Sequence, residues 1–332
     1  MKLLTYFTAC VLAVLVYTAP TCSDDKLVIT DSFFPDSLVI YTSEHEIVNI
    51  LLPLNSLNFD EDSDDEDSSE NSDTVIFFVE ADIDDKGDLI DKGLYVFTEG
   101  NATKLLEHGR DAAAANDDSK TAFFAAHDGL YSYNDDNNTA EKYGNVNDSL
   151  ISIAKVNGSD IIYAISEDNI LYNITEAGTK AEKVKEVVNA TQVVLDYENN
   201  LFFATTDYKV YGLSPHGLKK IEGLPEHIIY LNILKPPFIF ENGVPVIANN
   251  QSYIAYVNGT SEPGEFDFEV MPTAFAMEGT LIQYYAYKKK IYEYNILSLL
   301  FNDVLTDFKN FLNDKSDDIQ SIATRSRKDL RA

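Results

Sequence analysis

Apolar and polar positions along this chain repeat in short blocks. Thr121–Asn134 is the clearest: an apolar run, Ala122-Phe123-Phe124-Ala125, a polar turn at His127-Asp128-Gly129, then Leu130-Tyr131-Ser132-Tyr133. An Asp-Gly turn between two runs rich in aromatics predicts a β-hairpin. Copies follow at Asp160–Ile174, Asn200–Leu213 and Leu281–Asn295, with looser ones at Val75–Val79 plus Gly93–Phe97 and at Pro245–Val257. The second-strand tyrosines, Tyr95, Tyr131, Tyr172, Tyr211, Tyr256 and Tyr292, are spaced by 36, 41, 39, 45 and 36 residues. A period of roughly 40 with several strands per unit marks a propeller blade.

A fuller unit surrounds each hairpin. An inner strand is predicted before it, at Ile47–Leu52, Ala112–Ala115, Leu150–Ala154, Val193–Asp196, Ile228–Ile233 and Thr273–Ala276. An outer strand is predicted after it, at Thr103–Leu106, Ala140–Tyr143, Lys180–Val184, Leu218–Ile221 and Phe266–Val270. Four strands in six units predict an all-β, six-bladed propeller over residues 23–298. A β-sandwich with chance tyrosine spacing is the plain alternative. With no disulfide to close the ring, an N-terminal strand, Leu27–Thr30 or Leu38–Tyr41, is expected to pair within the last blade.

The two ends depart from the repeat. Met1–Cys22 has one charge, Lys2, an apolar core at Leu3–Val16 and small residues after it, the pattern of a secretory signal peptide. That core is short of the ~20 residues needed to span a bilayer. At the other end Leu300, Phe301, Val304, Leu305, Phe308, Phe311 and Leu312 recur at helical steps, so Leu299–Asn313 reads as an amphipathic helix, followed by a basic tail to residue 332.

Composition then narrows the function. The formal charge of −30 makes nucleic acid and anionic membranes poor partners. The charge is concentrated in Asn58–Asp73, an acidic stretch without apolar residues after Phe59, expected to be a disordered loop. It lacks the glycine and terminal glutamate of an EF-hand. Eight N-x-Ser/Thr sequons, at Asn101, Asn137, Asn147, Asn157, Asn173, Asn189, Asn250 and Asn258, fit a secreted, extracellular glycoprotein with glycans on surface turns. Cys10 falls in the signal and Cys22 at its edge, so no disulfide framework is expected.

Catalytic patterns are hard to find. There is no G-x-S-x-G elbow, no HExxH and no CxxC, and the five histidines (45, 108, 127, 216 and 227) are scattered. No cofactor, metal site or enzymatic activity is expected. Asp128, Asp168 and Asp207 recur as turn formers. Residues at the inner-strand entries, Arg110, Asp111, Ser149, Gln192, Tyr230 and Thr273, offer a cation, an aromatic ring and hydrogen-bonding groups around a channel mouth. That mixture suits a flat polar ring system, with Tyr230 stacking and Arg110 meeting a carboxylate or sulfate. Structural turn residues are the plainer account of most of them.

The order of His127–Gly144 (HDGLYSYNDDNNTAEKYG), Asp168–Gly178 (DNILYNITEAG) and Asn200–Tyr211 (NLFFATTDYKVY) resembles the ommochrome-binding proteins of moth haemolymph. The resemblance runs from about Cys22 to Asn295. It implies a secreted, monomeric carrier of a tryptophan-derived phenoxazinone pigment. Members of that family carry a second cysteine near the end, which this chain lacks; it has the acidic stretch and helical tail instead. A calcium-dependent propeller lactonase and a structural or interaction protein of an insect secretion are the alternative readings.

Overall fold

The computed structural model describes residues 26–53, 75–85, 87–115, 121–236, 242–277 and 282–295. The expected signal segment with both cysteines, the acidic stretch 58–73 and the expected C-terminal helix fall outside them.

Six sheets, each with four antiparallel strands, form the blades of a six-bladed β-propeller. From inner to outer strand, blade 1 is Glu46–Leu51, Ile76–Ile83, Leu89–Thr98 and Asn101–Leu106, and blade 2 is Gly109–Ala114, Ala122–Ala126, Gly129–Asn134 and Thr139–Lys142. Blade 3 is Leu150–Lys155, Ile162–Ser166, Leu171–Thr175 and Lys180–Lys183, and blade 4 is Ala190–Leu195, Leu201–Thr205, Val210–Ser214 and Gly217–Lys220. Blade 5 is Leu231–Ile233, Gly243–Ala248, Gln251–Tyr256 and Ser261–Phe268. Blade 6 has Ala274–Met277, Ile282–Tyr287 and Lys290–Asn295, and Val39–Thr42 supplies its outer strand.

The apolar runs at the second strands have a direct cause. A second strand is covered on both faces, so alternate side chains enter different inter-blade cores. Ala122 and Phe124 pack with Phe77, Val79 and Leu94 of blade 1. Phe123 and Ala125 face Leu150, Ile153 and Ile162 of blade 3. Phe202 and Phe203 divide in the same way between blades 5 and 3. Each such ring contributes roughly 1.5–3 kcal/mol by leaving water.

Closure is shared between two N-terminal strands. Val39–Thr42 pairs antiparallel with Lys290–Asn295 in the last blade. Leu27–Ile29 does not: it adds to blade 5 as a fifth strand, parallel to Phe266–Phe268. Between them Phe33 and Phe34 sit in an aromatic cluster with Tyr285, Tyr287, Tyr292 and Tyr294. The closing strand is also held to blade 1, where buried Glu80 accepts hydrogen bonds from Ser43 Oγ at 2.5 Å and Tyr41 Oη at 3.3 Å.

Two expected strands shift. The Ile228–Ile233 strand begins only at Leu231, because Asn249 Oδ1 takes the Ile229 and Tyr230 amides into a loop. The blade 5 outer strand starts early, at Ser261, where Ser261 Oγ donates to Glu222 O of blade 4 at 2.9 Å. Outer seams rely on close backbone approach. A Cβ on Gly144 would stand 2.1 Å from the Gly178 backbone, and both residues have positive φ.

Candidate binding site in the central channel

The inner strands of blades 1 to 4 each carry a β-bulge at the same register, between Ile47 and Asn49, Gly109 and Asp111, Leu150 and Ser152, and Ala190 and Gln192. A bulge turns the following side chain sideways, toward the next blade. Asn49 Nδ2 donates to Asp111 Oδ1. Asp111 Oδ2 accepts from Ile153 N at 2.8 Å, and Ser152 Oγ accepts from Val193 N at 3.2 Å. Gln192 accepts from Ile233 N at 2.9 Å and donates to Ile233 O at 2.7 Å and Asn232 Oδ1 at 2.9 Å. Thr273 Oγ1 donates to Ile47 O at 2.5 Å across the last seam. The channel wall is thus belted by side chains that tie neighbouring inner strands at five of the six seams.

This belt accounts for three of the six residues singled out in the sequence. Asp111, Gln192 and Thr273 hold blades together. Burial pushes the Asp111 carboxyl up to about 6, against the pull of hydrogen bonds from Ile153 N, Ser152, Ala112 N and Asn49.

Arg110 and Ser149 belong to a cluster at the mouth. Arg110 donates to Asp91 Oδ2 at 2.8 Å and Ser149 Oγ at 2.9 Å, and lies 3.3 Å from His127 Nδ1 and 3.7 Å from Glu167 Oε2. A hydrogen bond from Ser149, then the Arg110 charge, holds Glu167 below the usual carboxylate range. Two carboxylates already neutralise Arg110. Ser149 Oγ also lies 3.2 Å from His127 Nδ1, so serine, imidazole and two carboxylates gather around the Arg110 guanidinium. Tyr230 is half-buried, with its hydroxyl on Asn232 and its pKa raised by burial.

Inside the ring lies a cavity of about 600 Å³. Arg110, Asp111 and Gln192 line it; Ser149, Tyr230 and Thr273 do not. Its walls include Ala112, Ala113, Ile153, Val193 and Leu231. Two further residues stand at its mouth, on the face where inner strands begin. Leu89 is 58% exposed and Tyr208 is 47% exposed, two of eight large apolar side chains exposed among the described residues.

Tyr208 sits in the turn joining the second and third strands of blade 4, at φ 57°. Tyr208 N bonds Thr205 O, and Thr205 N bonds Lys209 O. Four other turns share this bonding pattern, and there the left-handed slot holds Gly87, Asn169, Asn199 and Gly259. A bulky residue in that slot is strained by roughly 1–2 kcal/mol. The substitution of Tyr for Asn within one turn type was visible in the sequence at Thr206–Lys209, but only as a turn.

Lys235 reaches into the same cavity from beyond the inner strand of blade 5. Its Nζ donates to Ala114 O of blade 2, opposite in the ring, at 3.2 Å. The side chain is solvent-exposed, but within the channel, where the inner strands surround it. Enclosure lowers its pKa to about 8, and the Asp111 charge partly offsets this.

The sequons divide. Asn101, Asn137, Asn147, Asn189, Asn250 and Asn258 are exposed, and Asn258 Oδ1 caps Thr260 N at 3.0 Å. Asn157 is half-buried against Tyr197 O. Asn173 is not on a turn: it lies within the third strand of blade 3, with Oδ1 buried and without a hydrogen-bond partner. Among the described residues no three His, Cys, Asp or Glu side chains gather as metal ligands, and no helix is long and apolar enough to cross a membrane.

These features define the chain as a six-bladed propeller with a channel cavity. No protein-family model and no curated protein sequence matches it. Among solved structures it is similar to U3-55K, at 9% identity and a TM-score of 0.49, covering 77% of this chain and 97% of that one. It is also similar to the RRP9 WD40 repeats, at 9% identity and 0.47, covering 74% and 88%. A third is PorZ of Porphyromonas gingivalis, a surface component of its type-IX secretion system, at 10% identity and 0.46, covering 76% and 37%. Likeness at this level carries no function across, and none of these matches bears on the ommochrome-binding resemblance.

Proposed function

We propose that this chain is a secreted, non-catalytic carrier that holds one small planar aromatic metabolite, of ommochrome type, in its central channel. The observation that carries this reading is Tyr208: a strained, exposed aromatic ring lining a channel cavity whose walls mix polar and apolar side chains. Backbone strain is retained where a side chain has work to do, and stacking on a tyrosine adds roughly 0.5–1.5 kcal/mol beyond area burial. A cavity of about 600 Å³ falls within the range of small-molecule sites. The family resemblance supplies the pigment; the signal-like leader and the exposed sequons support secretion. A calcium lactonase would need carboxylate and amide groups open toward the channel. Here Asp111, Asn49 and Gln192 are occupied with the backbone and with one another.

Absorbance and fluorescence titrations with xanthommatin-type pigments, kynurenines and unrelated aromatics test the reading. Saturable binding of one equivalent is expected. Tyr208→Asn should weaken it several-fold while raising stability by about 0.5–1 kcal/mol, since asparagine suits the left-handed slot. Failure of every planar aromatic to saturate the protein would sink the carrier reading.

A further inference from the structure

Among the described residues, every charged side chain lining the channel has its partners, except one. Asp111 has both oxygens occupied, by Asn49, Ala112 N and Ile153 N. Asp196 is turned into its own loop, accepting from Glu198 N, Asn200 N and Asn200 Nδ2. Lys155 donates to Val156 O and Ser159 O. Arg110 is paired with Asp91 and Glu167. Lys235 has one carbonyl, Ala114 O, and no ion pair among the described residues. An ammonium has three N–H donors, so two of them remain to be met.

An ammonium inside a channel with spare donors is a receptor for an anion. Lys235 is open to the channel, and the protein around that channel screens its charge less than bulk water does at an outer surface. It is also needed, because a chain of net charge −30 repels anions at a distance. We propose that the channel ligand is a flat organic anion, its carboxylate or sulfonate seated on Lys235 and its rings directed toward Leu89 and Tyr208. This rests on the channel being the binding site. It moves the anion contact from Arg110, whose charge is already met, to the amine beyond the blade 5 inner strand.

A lowered pKa strengthens the selection. At neutral pH the amine is largely protonated, and by pH 9 mostly neutral. Asp111, the acid acting on it from blade 2, is ionised throughout that interval and does not change the trend. Anion affinity should therefore fall as pH rises through about 8.

The test uses two fluorescent probes with the same rings: 1-anilinonaphthalene-8-sulfonate, an anion, and N-phenyl-1-naphthylamine, its neutral counterpart. The full chain should bind the sulfonate tighter at pH 7, and that preference should shrink about tenfold by pH 9. Lys235→Met should lower sulfonate affinity at least tenfold and leave the neutral probe unchanged, and Lys235→Arg should restore the sulfonate at pH 9. Equal affinity for the two probes, or equal losses in Lys235→Met, would make Lys235 a strut between blades 5 and 2 and overturn this inference alone. Binding of neither probe would overturn the channel site itself.

Discussion

At the scale of single residues, Asp111 shows how a wall carboxylate couples the fold to pH. Its folded pKa of about 6 lies above the ordinary 3.8. Between these values the folded chain binds more protons than the unfolded one, so stability falls as pH rises. The contribution is complete below pH 3.8 and lost through about 6. A shift of this size corresponds to about 3 kcal/mol. Asp111→Asn should lack that share of the slope. Urea unfolding of both proteins at steps from pH 4 to 7 measures the difference; parallel profiles would show that Asp111 does not titrate in this window.

At the scale of elements, the ring depends on a borrowed strand. Val39–Thr42 satisfies the outer edge of Lys290–Asn295, and Ser43 and Tyr41 fasten it to Glu80 of blade 1. An open edge exposes unpaired amides and carbonyls and invites intermolecular pairing. Removing Cys22–Tyr41 should lower the melting temperature by well over 5 °C and produce oligomers. Light scattering with thermal unfolding checks this, and a monomer of unchanged melting temperature would refute it. The hairpins and most strand centres were legible in the sequence because alternate apolar residues serve two cores. The destination of Leu27–Ile29 was not, since a short apolar strand fits any unpaired edge and only the neighbouring blades decide which one it meets.

At the scale of the whole molecule, charge opposes compactness. A net charge of −30 implies self-repulsion that salt screens over about 10 Å at 0.1 M. Melting temperature should rise between 10 and 300 mM NaCl. Deleting Asp60–Asp73 should flatten that rise, and at 300 mM should change stability by under about 1 kcal/mol, because shortening a loop changes closure entropy little. Differential scanning calorimetry on both proteins would show it. A loss of several kcal/mol on deletion, or melting that depends on calcium only in the intact chain, would instead make the stretch a structural site.

What the sequence determined by itself is the repeat: six hairpins, their order, the inner and outer strands around them and hence the number of blades. These follow from local alternation and turn chemistry, which neighbouring residues along the chain carry in full. What only the tertiary structure decided is which polar side chains face one another across the ring. Asp111 and Gln192 sit at strand entries in sequence, yet bulges turn them into ties between blades. Lys235 lies 121 residues from its carbonyl partner, and no local pattern encodes that meeting. Tyr208 reads as a turn residue until the slot it occupies, and the cavity beneath it, are seen together. Closing the ring brings distant inner strands around one axis, so a channel site is assembled from contacts that no single repeat contains.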